Sequence, residues 1–91
     1  MNDLTGFQRD TLYVIGGNDD PKGVAIKQEL DDYYDGDVNH GRLYPNLDEL
    51  VSKGLVEKGT KDDRTNEYSL TKWGRRELDA RRDWEDGLIE I

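Results

Sequence analysis

Five side chains able to donate hydrogen bonds, Asn39, His40, Arg42, Tyr44 and Asn46, fall within one short stretch of the chain. A guanidinium there can bind O6 and N7 of a guanine together or grip a phosphate, and a carboxamide can pair with the N6 and N7 edge of adenine. A phenol or imidazole can reach a phosphate. A second group, Lys61, Arg64, Thr65 and Asn66, offers further phosphate donors, with Asp62 and Asp63 interleaved to offset them. Lys22 and Lys27 are weaker candidates of the same kind. Each of these residues also has a plainer reading as solvated surface, and His40 and Asn39 as helix-start capping residues.

Other chemistries are poorly served. Cysteine is absent, which removes thiol nucleophiles, thiolate metal ligands and disulfides, and His40 is the single histidine. Carboxylates are plentiful, but acid–base catalysis needs them converged in a water-excluding pocket, for which 91 residues leave little volume. The expectation is a protein that is not an enzyme and carries no metal or cofactor.

The net charge of −8 opposes nucleic-acid binding at ordinary ionic strength. Two explanations of the acidity fit. With 14 Asp, 7 Glu and only 6 Lys, the surface is like that of a protein working in molar salt. There the screening length shrinks to about 3 Å and only local charge counts. An ordinary acidic protein that binds another protein fits the composition equally. No apolar run approaches the roughly 20 residues of a membrane span, and the opening Met1-Asn2-Asp3 lacks a signal-peptide pattern, so a cytoplasmic location is expected.

The elements that must hold the donors follow from spacing. Leu4, Phe7, Thr11, Leu12 and Ile15 recur at helical steps and predict a helix over 5–15, with Thr5 as its cap. Gly16-Gly17-Asn18 ends it. Pro21 suits the first turn of a second helix, carried by Val24, Ile26, Leu30, Tyr33 and Tyr34. After Asp35-Gly36-Asp37, Val38 is expected to add a strand of one or two residues. Asn39 then caps a third helix with Leu43, Leu47, Leu50 and Val51 inward, stopped by Gly54. Residues 55–60 and 67–71 read as the strands of a β-hairpin joined by the polar segment 61–66. Thr71 caps a fourth helix to about Asp86, where Arg75, Arg76, Arg81 and Arg82 alternate with carboxylates at ion-pairing distances.

Three helices, a hairpin and a closing helix describe a winged helix-turn-helix: mainly α, with a three-helix core, a two- to three-stranded wing and a C-terminal helix, in one domain spanning 1–91. The stretch Asn39-His40-Gly41-Arg42-Leu43-Tyr44-Pro45-Asn46-Leu47, then Leu50, Gly54-Leu55-Val56, and Tyr68-Ser69-Leu70-Thr71 with Gly74 and Leu78, resembles the PadR-like transcriptional regulators. These residues match the family's recognition-helix motif, its helix-to-strand junction and its entry to the closing helix. The resemblance runs from Leu4 to Trp84 and is nearest to the shorter, acidic haloarchaeal members, of which some haloarchaeal viruses carry related small repressors.

The resemblance implies a sequence-specific regulator of transcription that binds double-stranded DNA, acting as a repressor. The third helix would enter the major groove and the hairpin would reach the backbone. Arg42, near the start of that helix, is the foremost base-reading candidate. Trp73, Trp84, Leu88, Ile89 and Ile91 leave apolar surface beyond what so small a core needs, so residues 72–91 are expected to form a homodimer contact together with the first helix. A winged helix used only for protein contact remains the alternative. Any effector is left open.

Overall fold

Side chains fix the start of three of the four helices. In α1 (Gly6–Gly16) the Thr5 hydroxyl accepts from the Gln8 amide at 3.1 Å while the Gln8 carboxamide accepts from the Thr5 amide at 3.2 Å, a reciprocal capping box. In α3 (His40–Ser52) the Asn39 carboxamide oxygen accepts from the Gly41 amide at 2.6 Å. In α4 (Lys72–Leu88) the Thr71 hydroxyl accepts from the Gly74 amide at 3.0 Å. Helix α2 (Gly23–Tyr34) begins at Lys22 without a side-chain cap. The computed structural model describes residues 1–62 and 65–89, with the backbone alone at 61 and 62.

Pro21 lies before α2 rather than in its first turn. Its buried position is set by the hairpin, because the Pro21 carbonyl accepts from the Tyr68 amide at 3.0 Å and Lys22 pairs antiparallel with Glu67. The sheet is two-stranded, and what lies along the edge of β2 is a single isolated bridge at Lys22 rather than a strand at Val38. Val38 instead sits in the turn between α2 and α3, its side chain in the core and its amide donating to Asp31 Oδ1 at 2.6 Å. Lys27 Nζ bridges the same Asp31 at 2.9 Å and Asp37 at 2.5 Å, so one lysine and two aspartates tie this turn together.

The hairpin pairs β1 (Val56–Asp62) with β2 (Thr65–Leu70) from Val56↔Leu70 to Asp62↔Thr65, with an irregularity between Thr60 and Asp62. Both strands reach further toward the tip than the polarity of 61–66 predicts. A two-stranded ribbon wet on both faces needs no apolar residue to continue its ladder, so polar composition does not mark its end. Arg64 lies outside the described residues.

Phe7, Leu12 and Ile15 of α1, Ile26 and Leu30 of α2, Leu43, Leu47 and Leu50 of α3, Val56 and Tyr68 of the hairpin and Leu78 of α4 form one buried cluster. Val24 and Tyr33, which fit a helical stripe in sequence, are exposed; the inward face of α2 is Gly23, Ile26 and Leu30. Pro45 lies inside α3, and its missing amide would have bonded the Gly41 carbonyl. Both residues are exposed, so water can take that carbonyl.

Close approach to backbone requires glycine at 74, where a Cβ would lie 2.1 Å from the Leu55 carbonyl oxygen; at Gly16 a Cβ would meet the side-chain ends of Leu78 at 2.8 Å and Leu70 at 2.9 Å. Gly54, with φ +77°, ends α3 in the left-handed region. The Gly54 carbonyl accepts from the Thr71 hydroxyl at 2.6 Å, and the Leu55 carbonyl from the Thr71 amide at 3.1 Å. The Gly54-Leu55-Val56 and Thr71-x-x-Gly74 segments are thus one junction seen from its two sides. Among the described residues no helix is long and apolar enough to cross a membrane.

Candidate nucleic-acid interface

Helix α3 is held by its apolar face, and its exposed residues Gly41, Pro45, Asp48 and Ser52 recur at helical spacing along the opposite side. The donor residues flank this stripe on two sides.

On the α1 side, Arg42 is exposed at its backbone turn while its guanidinium lies over the ring of Phe7, 4.0 Å from the centroid. Phe7 stacks in turn on Tyr34, centroids 6.1 Å apart and planes 20° from parallel, and the Tyr34 hydroxyl donates to Asp10. Burial, followed by that hydrogen bond and the Asp10 charge, pushes the Tyr34 phenol up to about 12. Asn46, one turn on from Arg42, accepts from Gln8 Nε2 at 3.0 Å and donates to the Arg42 carbonyl at 2.7 Å. Among the described residues its carboxamide keeps one free hydrogen and one free lone pair.

On the wing side, His40 stacks on Tyr44 with ring centroids 5.7 Å apart and planes 13° from parallel. The hydroxyl end of the Tyr44 ring lies against the start of α2, where a Cβ on Gly23 would come within 2.5 Å of its oxygen. Tyr44, Lys22, Gly23, Val24, Thr65, Asn66 and Tyr68 line a groove of about 380 Å³ between α2 and β2. The sequence candidates Tyr44, Thr65 and Asn66 therefore meet, and Lys22 joins them because its backbone is bridged to Glu67 of β2. Asn39 spends its carboxamide oxygen on the α3 cap. Lys61 contributes backbone to β1; its side chain, like Arg64, lies outside the described residues.

The charge around α3 is partly internal. Asp48 faces Lys58 at 3.8 Å, Glu49 accepts from Gln8 Nε2 at 3.0 Å, and Lys27 is committed to Asp31 and Asp37. Among the described residues, Arg42 and Lys22 enter no ion pair within 4.0 Å. The pairing expected on α4 is present at Arg81, whose Nε lies 3.7 Å from Glu85 and whose guanidinium covers Trp84 at 4.6 Å. Sequence spacing did not reveal Phe7 and Gln8 as neighbours of the recognition helix. The Thr5-x-x-Gln8 box is visible locally, but the partners of the Gln8 amide lie on another helix.

A helix-turn-helix whose third helix keeps a polar face exposed, followed by a wing tied to the segment leading into the second helix, defines a winged-helix DNA-binding protein. The profile of the transcriptional regulator PadR-like family matches residues 11–80, and the chain belongs to that family. Solved structures agree. RosR of H. salinarum, grown from NaBr, is 50% identical with a TM-score of 0.91, covering 98% of this chain and 80% of that one. A complex of the same protein, hsRosR-S1, is 52% identical with a TM-score of 0.90 over 94% of this chain and 76% of that one. FabT of Streptococcus pneumoniae in complex with DNA is 26% identical with a TM-score of 0.78, covering 97% of this chain and 59% of FabT. No curated protein matches the chain. The protein is a DNA-binding regulator of transcription, similar to RosR of H. salinarum, and its family and these neighbours are transcription regulators.

Proposed function

We propose that this regulator is a cytoplasmic repressor that binds a palindromic operator as a homodimer, with Arg42 reading a base and the α2–wing groove seating a phosphate. The observation that carries the reading is the meeting of Lys22, Tyr44, Thr65 and Asn66 in one groove beside the recognition helix. An ammonium, a phenol, a hydroxyl and a carboxamide around one cleft suit a phosphodiester, and such contacts set register on the duplex. Arg42, free of any described carboxylate and near the start of α3, is placed where recognition helices touch base edges. Asn39, His40 and Asn46 are secondary contacts on the same helix, and Lys61 and Arg64 extend the phosphate contacts to the tip of the wing.

The dimer is assigned to residues 72–91 with α1. Trp73, Ala80, Trp84 and Leu88 recur along one exposed stripe of α4, and Trp84 and Leu88 are 55% and 63% exposed. Two copies related by a twofold axis would place their α3 helices on half-sites about one helical turn, roughly 34–36 Å, apart. Repression requires only occupancy of a promoter, whereas activation requires a further contact with the polymerase.

Selection of bound duplexes from a random pool at molar potassium chloride, followed by sedimentation of the free protein and its complex, tests this. The expected result is a palindromic consensus bound by two copies. Failure to bind any duplex at any salt would favour a role in protein contact, and a monomer at tens of micromolar would remove the dimer.

A further inference from the structure

A capping box asks little of its fourth residue: an acceptor for the amide of the cap, which Gln8 Oε1 supplies to Thr5 at 3.2 Å. A glutamate accepts at least as well and is favoured by the helix dipole in a first turn. This chain has seven Glu and two Gln, yet places Gln here and leaves the first turn of α1 without an acid. The cap alone does not account for the choice.

What glutamine adds is the NH₂ group, and both of its hydrogens are used on α3. Gln8 Nε2 donates to Asn46 Oδ1 at 3.0 Å and to Glu49 Oε2 at 3.0 Å. The Gln8 side chain is buried, only 3% of the residue being exposed, so the donor end of both bonds is shielded from water while Asn46 is half-buried and Glu49 exposed. With Oδ1 engaged by Gln8, the Asn46 amide is turned so that Nδ2 meets the Arg42 carbonyl at 2.7 Å. Phe7, the residue before Gln8, carries the Arg42 guanidinium on its ring. Two successive residues of α1 thus hold two donors of α3 that lie one turn apart.

We propose that Gln8 is a positioning residue for DNA recognition: its amide donors fix the direction in which Asn46, and through it the Arg42 turn, faces the duplex. The inference rests on the reading of α3 given above. It assigns to α1, which touches no DNA in that reading, control over the sequence preference of α3.

The test compares the unaltered protein with Gln8→Glu, Gln8→Met, Thr5→Ala and Asn46→Ala. Each is titrated with a selected operator and a scrambled duplex at one fixed molar potassium chloride concentration. Gln8→Glu keeps the capping acceptor and removes both donors; Gln8→Met removes donors and acceptor without adding charge; Thr5→Ala removes the hydroxyl half of the cap and keeps the Gln8 amide. The ratio of the two affinities should fall roughly three- to tenfold in both Gln8 variants, the scale of one net hydrogen bond. It should stay unchanged in Thr5→Ala. Adding Gln8→Glu to Asn46→Ala should lower the ratio by less than Gln8→Glu does alone.

A full ratio in folded Gln8→Glu or Gln8→Met overturns the proposal, as does an equal loss in Thr5→Ala. If the unaltered protein shows no preference between the duplexes, the reading of α3 fails first and the inference falls with it.

Discussion

The Arg42 guanidinium lies 4.0 Å from the centre of the Phe7 ring, so the foremost base-reading candidate is packed on α1 rather than extended into solvent. Stacking leaves the edge of the guanidinium, with its fork of N–H donors, available for a planar partner. It also lowers the number of rotamers that must be frozen on binding.

Arg42→Ala should abolish sequence preference while leaving the fold intact, at a cost of roughly 1–3 kcal/mol of discrimination in each half-site. Arg42→Lys should lose nearly as much, because an ammonium neither forks nor stacks as a guanidinium does. Arg64→Ala at the wing should instead weaken binding to all duplexes alike and reduce the salt slope. Parallel titrations against operator and scrambled duplex distinguish the two patterns, and full preference in Arg42→Ala would sink the base-reading role.

Gly74→Ala should destabilise the fold by about 3 kcal/mol, since its Cβ would meet the Leu55 carbonyl oxygen at 2.1 Å and neither backbone can withdraw without breaking the Thr71 bonds. Gly59→Ala, where nothing lies within 4 Å of the new carbon, should stay within about 0.5 kcal/mol of the parent. Urea midpoints of the two variants should diverge accordingly.

Two groups set opposite pH limits. The Lys27 hydrogen bond and then the Val38 amide hold the Asp31 carboxyl below its ordinary value of 3.8. Its contribution is full above that value and is lost as pH falls through the lower folded value. Tyr34, raised to about 12, behaves inversely: its contribution is full below the ordinary 10.0 and is lost as pH rises toward 12. Melting curves of Asp31→Asn should therefore converge on those of the parent as pH falls from neutrality into acid, and those of Tyr34→Phe should gain on the parent as pH rises toward 12. A constant offset across pH would contradict both assignments.

The acidic shell makes a further demand. With a net charge of −8, carboxylates repel across a screening length of about 10 Å at 0.1 M salt and about 3 Å at 1 M. The melting temperature should rise with potassium chloride from 0.1 to 2 M. A flat profile would argue that the acidity is unrelated to salt.

The helix starts were legible because capping is local: Thr5, Asn39 and Thr71 each reach an amide two or three residues ahead. The inward face of α3 was legible from Leu43, Leu47 and Leu50, whose spacing encodes their burial. Polarity placed the strand ends too far from the tip of the wing, since the ladder that carries Thr65 and Asn66 is made by the backbone and does not depend on apolar side chains. It also assigned the third strand to Val38, because a buried β-branched residue looks like a strand whether or not its neighbours supply a ladder. The side on which each donor of α3 emerges was not legible, because Phe7, Gln8 and Gly23 decide it from other elements.

The bridge between Lys22 and Glu67, with the Tyr68 amide on the Pro21 carbonyl, bears on how this architecture can be recombined. A graft that exchanges β1 and β2 for those of a related regulator leaves one edge of the sheet behind, in the segment leading into α2. The transplanted wing would take its backbone bridge from the host's own residues at 21 and 22, and would lose the Lys22 side chain from one wall of its groove. Chimaeras that carry residues 21 and 22 along with the hairpin should retain wing orientation, which makes a dipeptide far upstream part of the smallest exchangeable wing.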